Sequence, residues 1–300
     1  MPIGRLAFVT GGSGVLGRRL LAALRARHPS LPIRALVHRR PLPSVDGVEP
    51  VEGDLGDTDR LPALLRGADV VVHLAAVTHA RRAEDYLPLN GRGTERLARA
   101  AARAGVGRFV HVSTRAIGPA CGAYGASKGL AEEAVRAAGL PHVILRFAEV
   151  YGGGSAEGVD ALLGLVRRWP VVPYPATCAL LAPLFVDDAI AALVQSVERP
   201  RLAGATYTIA GPESFSPREL IRTAARALGV RRVMIPVPLA ALGVAARLGR
   251  IAGRPGIALD QVPRLTCAKE SRIDDARRDL AFSPRSLVEG LGAMGGGRPA

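Results

Sequence analysis

The feature that most constrains this chain is the run Thr10-Gly11-Gly12-Ser13-Gly14-Val15-Leu16-Gly17. It follows the apolar stretch Leu6-Ala7-Phe8-Val9 and leads into Leu16, Leu20, Leu21 and Leu24, apolar residues at helical spacing. Strand, glycine turn and helix in that order make a cradle for a dinucleotide pyrophosphate. Gly11 permits the tight turn, Gly14 lets the backbone approach the phosphates, and Gly17 lets the helix lie close on the sheet. Gly12, Ser13, Val15 and Leu16 complete a loop whose unpaired N–H groups point at the ligand.

The rest of the first half continues the alternation. Strands are expected at Ile33 to Val37, Val48 to Val51, Asp69 to Leu74, Phe109 to Val112 and His142 to Arg146. Helices are expected at Asp59 to Leu65, Thr94 to Ala104 and Gly125 to Ala138. Such repetition predicts an α/β fold, a Rossmann-type doubly wound parallel sheet with helices on both faces. After Gly152-Gly153-Gly154 the pattern loosens, and 152–300 reads mainly as a smaller C-terminal substrate-binding lobe. Residues 1–151 form the dinucleotide-binding domain, to which 184–210 is expected to return. From Pro236 onward helical pieces and loops are expected, and a disordered tail from Gly295.

The second strand ends in Leu36-Val37-His38-Arg39-Arg40, with no acid to receive a ribose 2′-hydroxyl. An arginine there can grip a 2′-phosphate through two N–H groups instead, so His38, Arg39 and Arg40 point to NADP in preference to NAD.

A formal net charge of +14 raises the question of nucleic acid. The cations are scattered arginines without a basic helix or an aromatic platform, so no nucleic-acid partner is expected. No apolar run is long enough to span a membrane. The chain enters its first strand almost at once, leaving no room for a signal peptide, and a cytoplasmic protein is expected. Cys121, Cys178 and Cys267 are far apart and odd in number, suggesting neither a disulfide framework nor a metal site, and Cys121 reads as a small loop residue.

Against this arginine-rich background lysine is informative, because only Lys128 and Lys269 occur. Lys269 reads as a surface residue. Lys128 closes Tyr124-Gly125-Ala126-Ser127-Lys128, where a helix sets residues four apart on one face. A free phenol titrates near ~10 and is a poor base at neutral pH. A neighbouring ammonium stabilises the phenolate, so the pair can exchange a proton with an alcohol or ketone.

With these segments the chain resembles the extended short-chain dehydrogenases/reductases of the NAD-dependent epimerase/dehydratase family. The likeness runs through Thr10 to Gly17, Gly53-Asp54-Leu55, His73-Leu74-Ala75-Ala76, Asn90 with Gly93-Thr94, Phe109 to Thr114 and Tyr124 to Lys128. It continues through Leu145-Arg146, Val150-Tyr151-Gly152, Phe185 to Asp188 and Ala276 to Pro284. The resemblance implies that Asp54 and Leu55 lie at the adenine and that Leu74, Ala75 and Ala76 line the cofactor channel. It implies that Lys128 also holds the nicotinamide ribose, and that the protein is a homodimer. It further implies a hydroxyl opposite the tyrosine. Strand alignment assigns that hydroxyl to Thr114, and alignment from Gly118-Pro119 assigns it to Ser113.

Glu149 stands where sugar-nucleotide members of the family commonly carry asparagine, and a carboxylate there would repel a pyrophosphate. The segment Ala176 to Pro183 is apolar as well. Both features point to a ketone/alcohol oxidoreductase for a relatively apolar small molecule. The alternatives are an epimerase or dehydratase holding NAD(P) tightly, and a non-catalytic dinucleotide-binding scaffold.

Overall fold

The computed structural model describes residues 6–80, 82–155, 157–199, 202–244 and 262–295. The chain beyond Gly295, where a disordered tail was expected, lies outside the described residues.

The central sheet draws on β1 (Ala7–Thr10), β2 (Ile33–Val37), β3 (Val48–Glu52), β4 (Val70–His73), β5 (Arg108–Thr114), β6 (His142–Phe147) and β10 (Ala205–Ile209). Their order is β10-β6-β5-β4-β1-β2-β3, and every pairing is parallel. β1 and β4 are buried along their whole length. That burial on both faces explains why they read as continuous apolar runs and not as alternating ones.

Two apolar layers cover the sheet. On one face α1 (Val15–Arg27) contributes Leu20, Leu21 and Leu24 and lies beside α6 (Val186–Glu198). On the other, α3 (Thr94–Arg103) and α4 (Gly122–Ala137) bury Leu97, Ala98, Ala101 and Val135. The helix expected at Asp59 to Leu65 is only the single turn Leu61–Leu64. The chain order reverses between β2 and β4 on either side of β1. At such a switch point the loops leaving β1 and β4 part, and a crevice opens at the strands' C-terminal ends.

The smaller lobe has its own core. Val159, Leu163 and Val166 of α5 (Gly158–Arg168) pack with Leu220, Ile221 and Ala224 of α7 (Pro217–Ala227) and with Leu287 and Leu291. The first turn of α7 is closed by a capping box in which Ser216 Oγ accepts from Glu219 N and Glu219 accepts from Ser216 N. β8 (Val171–Ala176) pairs in parallel with β11 (Val233–Pro238). Pro236 to Pro238 therefore closes a strand, where a loop or helix was expected. β7 (Val150–Tyr151) pairs with β9 (Leu184–Phe185). After β9 the chain passes through α6 and β10, which lie in the layers of the main sheet.

Candidate active site

The loop after β1 has the close approaches that exclude side chains. Gly11 has φ +75°, and a Cβ there would stand 2.7 Å from Ala75 N. A Cβ on Gly17 would lie 2.2 Å from Gly11 O, so α1 sits directly on the turn. Gly14 N donates to Gly11 O at 3.0 Å, and α1 begins with no acidic residue in its first turn. A tight glycine cradle under an unblocked helix start fits a dinucleotide pyrophosphate. Ser13, Gly14, Val15 and Leu16 line its accessible rim, while Gly12 and Gly17 are buried against the sheet. Leu74, Ala75 and Ala76 leave β4 beside it, with Leu74 N donating to Thr10 O.

At the far end of the crevice Leu55 is buried, and Asp54 accepts from Gly56 N at 2.8 Å. The Asp54 carboxylate also reaches His38 Nε2 at 3.1 Å. Arg39 and Arg40 follow at the end of β2, both exposed.

A buried polar chain connects the glycine loop with α4. Thr94 Oγ1 donates to Asn90 O at 2.6 Å, so it accepts from His73 Nε2 at 2.9 Å. That leaves His73 Nδ1 to accept from Thr10 Oγ1 at 2.7 Å, while Thr10 Oγ1 accepts from Ala75 N. Asn90 clamps Val77 from both sides and donates to Ser127 Oγ, which donates to Tyr124 O. Every residue of the chain is paired, which is what buried polar groups require. Burial, helped by the Lys128 charge, holds the His73 imidazole down to about 3. His111 stacks on it at 5.3 Å and is also pushed well below the usual imidazole range, chiefly by burial.

α4 begins at Gly122 and carries Tyr124 and Lys128, both buried. Successive residues of a strand face opposite ways, and the last two of β5 separate accordingly. Ser113 Oγ donates to Glu132 at 2.6 Å, inside a cluster that also contains Arg146 and Arg136. Thr114 Oγ1 accepts from Ala116 N at 3.1 Å, and its hydroxyl lies beside the Tyr124 phenol, where it favours the phenolate. The geometry brings Thr114, not Ser113, to the tyrosine.

The expected partnership of Tyr124 and Lys128 needs correction. The Lys128 ammonium donates to Val112 O at 2.7 Å and approaches His111 Nε2 at 3.4 Å. Burial lowers it to about 8, the Glu132 carboxylate resisting. Tyr124 is raised above the usual phenol value by burial, and the groups that oppose the rise are Arg264 and the Thr114 hydroxyl. The cation at the phenol is thus a guanidinium from the far end of the chain. Arg264 stands over the Tyr124 ring at 4.3 Å, while Tyr86 meets the same ring edge-on at 5.6 Å. Sequence reasoning passed over Arg264 because nothing in a scattered arginine background marks one of them.

Three further expectations are overturned. Cys121 and Cys267 are joined in a disulfide, across 146 residues, and Cys178 is exposed and free. A pairing this distant leaves no trace in local spacing. The Lys269 side chain is 5% exposed and bonds Glu149 at 3.1 Å, so it does not lie free at the surface. Glu149 also receives Arg115 at 2.6 Å. These two cations hold its carboxyl below the usual range against burial. The carboxylate is neutralised where it stands, so the repulsion of a pyrophosphate expected from Glu149 does not arise.

The NAD dependent epimerase/dehydratase family model matches residues 7–210, and the chain belongs to that family. It is similar to a ceramide reductase of Caulobacter vibrioides, 36% identical over 234 residues, covering 77% of this chain and 73% of that one. It is also similar to a 4-hydroxy-2-methyl-3-oxo-4-farnesyl-3,4-dihydroquinoline-1-oxide ketoreductase of Stigmatella aurantiaca, 29% identical and covering 98% and 96%. Among solved structures, MoeE5 in complex with UDP-glucuronic acid and NAD superposes with a TM-score of 0.74 at 26% identity, covering 95% and 96%. The chain is an NAD(P)-dependent enzyme of the extended short-chain dehydrogenase/reductase type. Among the described residues no helix is long and apolar enough to cross a membrane.

Proposed function

We propose that this enzyme reduces a ketone on a long apolar molecule, or oxidises the corresponding alcohol, with NADP(H). The observation that carries the reading is the buried Tyr124 phenol of α4 beside the Thr114 hydroxyl at the end of β5, across the crevice from the glycine loop. A bound nicotinamide supplies the hydride. Tyr124 passes a proton to or from the substrate oxygen, and Thr114 holds that oxygen in line. Lys128 holds the nicotinamide ribose. Gly11 to Gly17 receive the pyrophosphate, Asp54 and Leu55 border the adenine, and Leu74 to Ala76 wall the channel between. Arg39 and Arg40 are free to meet a 2′-phosphate, which supports NADP over NAD.

An apolar substrate is supported by the uncharged Ala176 to Pro183 segment and by the names of the ceramide reductase and farnesyl-quinoline ketoreductase relatives. We place the enzyme in the cytoplasm. The test is a panel of long-chain 3-oxo lipids and UDP-sugars, assayed with NADPH and NADH by loss of nicotinamide absorbance. Turnover of a 3-oxo lipid that falls at least about 100-fold in Tyr124→Phe supports the reading. Conversion of UDP-sugars by protein purified with its nicotinamide already bound would replace it with an epimerase or dehydratase.

A further inference from the structure

The segment 263–271 crosses the end of the crevice as a strap, and four of its side chains are pinned to residues around Tyr124. Arg264 Nη2 donates to Thr78 O at 2.8 Å and to Tyr86 OH at 3.1 Å while the guanidinium covers the tyrosine ring. Cys267 is bonded to Cys121. Lys269 pairs with Glu149, and Ser271 Oγ accepts from Arg115 Nη1 at 2.6 Å. From the other side Thr177 Oγ1 donates to Leu265 O at 2.6 Å.

The spacing of two of these contacts is matched. Cys121 precedes Tyr124 by three residues, and Arg264 precedes Cys267 by three. The disulfide and the Arg264–Tyr124 contact are therefore two rungs: one from Cys121, at the end of the short turn Pro119–Cys121, and one from the first turn of α4, to the short helix Pro263–Leu265 and its following residues. Fixing the sulfur rung fixes the guanidinium rung. Both sulfurs are buried, and they close a small apolar cluster with Ala116, two residues beyond Thr114.

We propose that Arg264 is a positioning residue for Tyr124 and that the Cys121–Cys267 disulfide is the redox-sensitive clasp that keeps it there. This rests on Tyr124 being the proton-transfer group of the proposed reaction. Arg264 acts through the ring. Its charge on the π face orients the phenol against Thr114, and the same charge favours the phenolate as the proton leaves. Disulfides in a reducing cytosol are characteristically redox-sensing or catalytic, and this one joins the turn that leads into α4 to the strap. Opening it is thiol–disulfide exchange with a dithiol. The dithiol gives up two electrons and two protons and becomes a cyclic disulfide, while Cys121 and Cys267 each gain a thiol proton. The freed strap then loses one of its attachments beside the active tyrosine.

The test uses the full-length enzyme with ethyl 3-oxodecanoate and NADPH. Arg264→Gln is expected to lower kcat about 10-fold with KM for NADPH unchanged, a stabilisation of the size a desolvated cation–π contact provides. Arg264→Lys recovers part of the loss. Cys267→Ser, and dithiothreitol acting on the parent, give the same fall. Arg264→Gln with Cys267→Ser is no worse than either alone, because both remove one interaction. Independently of turnover, a non-reduced peptide map carries the Cys121–Cys267 link, and backbone hydrogen exchange across 263–271 rises on reduction. A kcat within twofold of the parent in Arg264→Gln, additive losses, or free thiols at both Cys121 and Cys267 in the purified protein would each overturn the proposal. A Tyr124→Phe enzyme with full turnover would instead overturn the proposed function, leaving the peptide map and exchange to judge the clasp.

Discussion

Replacing Lys128 by methionine is expected to make the protein more stable and useless as an enzyme. The ammonium is buried, and burial lowers its proton affinity from 10.5 to about 8. That depression corresponds to about 3 kcal/mol of unfavourable folding free energy whenever the group is charged in both states. Methionine fills the apolar path of the lysine stem without a charge. It forfeits the hydrogen bond to Val112 O, at a cost of about 1 kcal/mol. The variant should therefore be more stable by about 2 kcal/mol at neutral pH. The sign of the pH dependence is fixed. Between about 8 and 10.5 the unfolded chain holds the lysine proton that the folded chain has released, so parental stability rises with pH. The advantage of the variant is full below about 8 and disappears as pH climbs to 10.5. Urea unfolding of cofactor-free parent and variant, at a series of pH values across that window, measures it. A variant less stable than the parent at neutral pH, or an advantage that stays constant through the window, would refute the assignment of a strained buried ammonium.

Three other outcomes follow from the same geometry. Thr114→Ala should lower turnover about 100-fold, as loss of a single aligned donor does, whereas Ser113→Ala should leave turnover intact and cost about 1 kcal/mol of stability through Glu132; steady-state rates and melting curves separate the two. Gly17→Ala should raise the NADPH Kd by at least about tenfold, because its Cβ would lie 2.2 Å from Gly11 O and backbone must shift; nicotinamide fluorescence titration reads it. Arg39→Ala with Arg40→Ala should raise KM for NADPH about tenfold and leave KM for NADH unchanged, since only the 2′-phosphate contacts are lost.

The sheet was legible because its strands are short local runs, and the burial of β1 and β4 along their whole length shows as nearly unbroken apolar sequence. The glycine loop was legible because Gly11 and Gly17 are required by contacts within ten residues or by the adjoining strand. Tyr124 and Lys128 could be placed on one helix face, but their electrostatics could not be read from that spacing. Where an ammonium points depends on which acceptor is nearer, and Val112 O, on a neighbouring strand, captured Lys128. The substrate side was the least legible. Arg264, Cys267, Lys269 and Ser271 find their partners more than 85 residues away, by strap placement and not by periodicity. Glu149 misled for the same reason, because its charge could be read in the sequence and its two counterions could not. Pro236 was read as a loop marker, yet it pairs on a two-stranded ribbon where a missing N–H is tolerated.

The two stacked imidazoles beside Lys128 also limit where a proton can go in the proposed reaction. His73 is held at about 3 and His111 well below the ordinary range, so both are neutral throughout the working range of the enzyme. His73 is further locked as a donor to Thr94 and an acceptor from Thr10. A neutral ring committed at both nitrogens, in a fully buried setting, cannot take up a proton from the tyrosine end of the crevice. His73 therefore offers no proton acceptor on the interior side of the site. In the proposed reaction, a proton that Tyr124 yields or gains thus has no route through His73, and its exchange is expected to depend on Lys128 and on the surface that cofactor and solvent share.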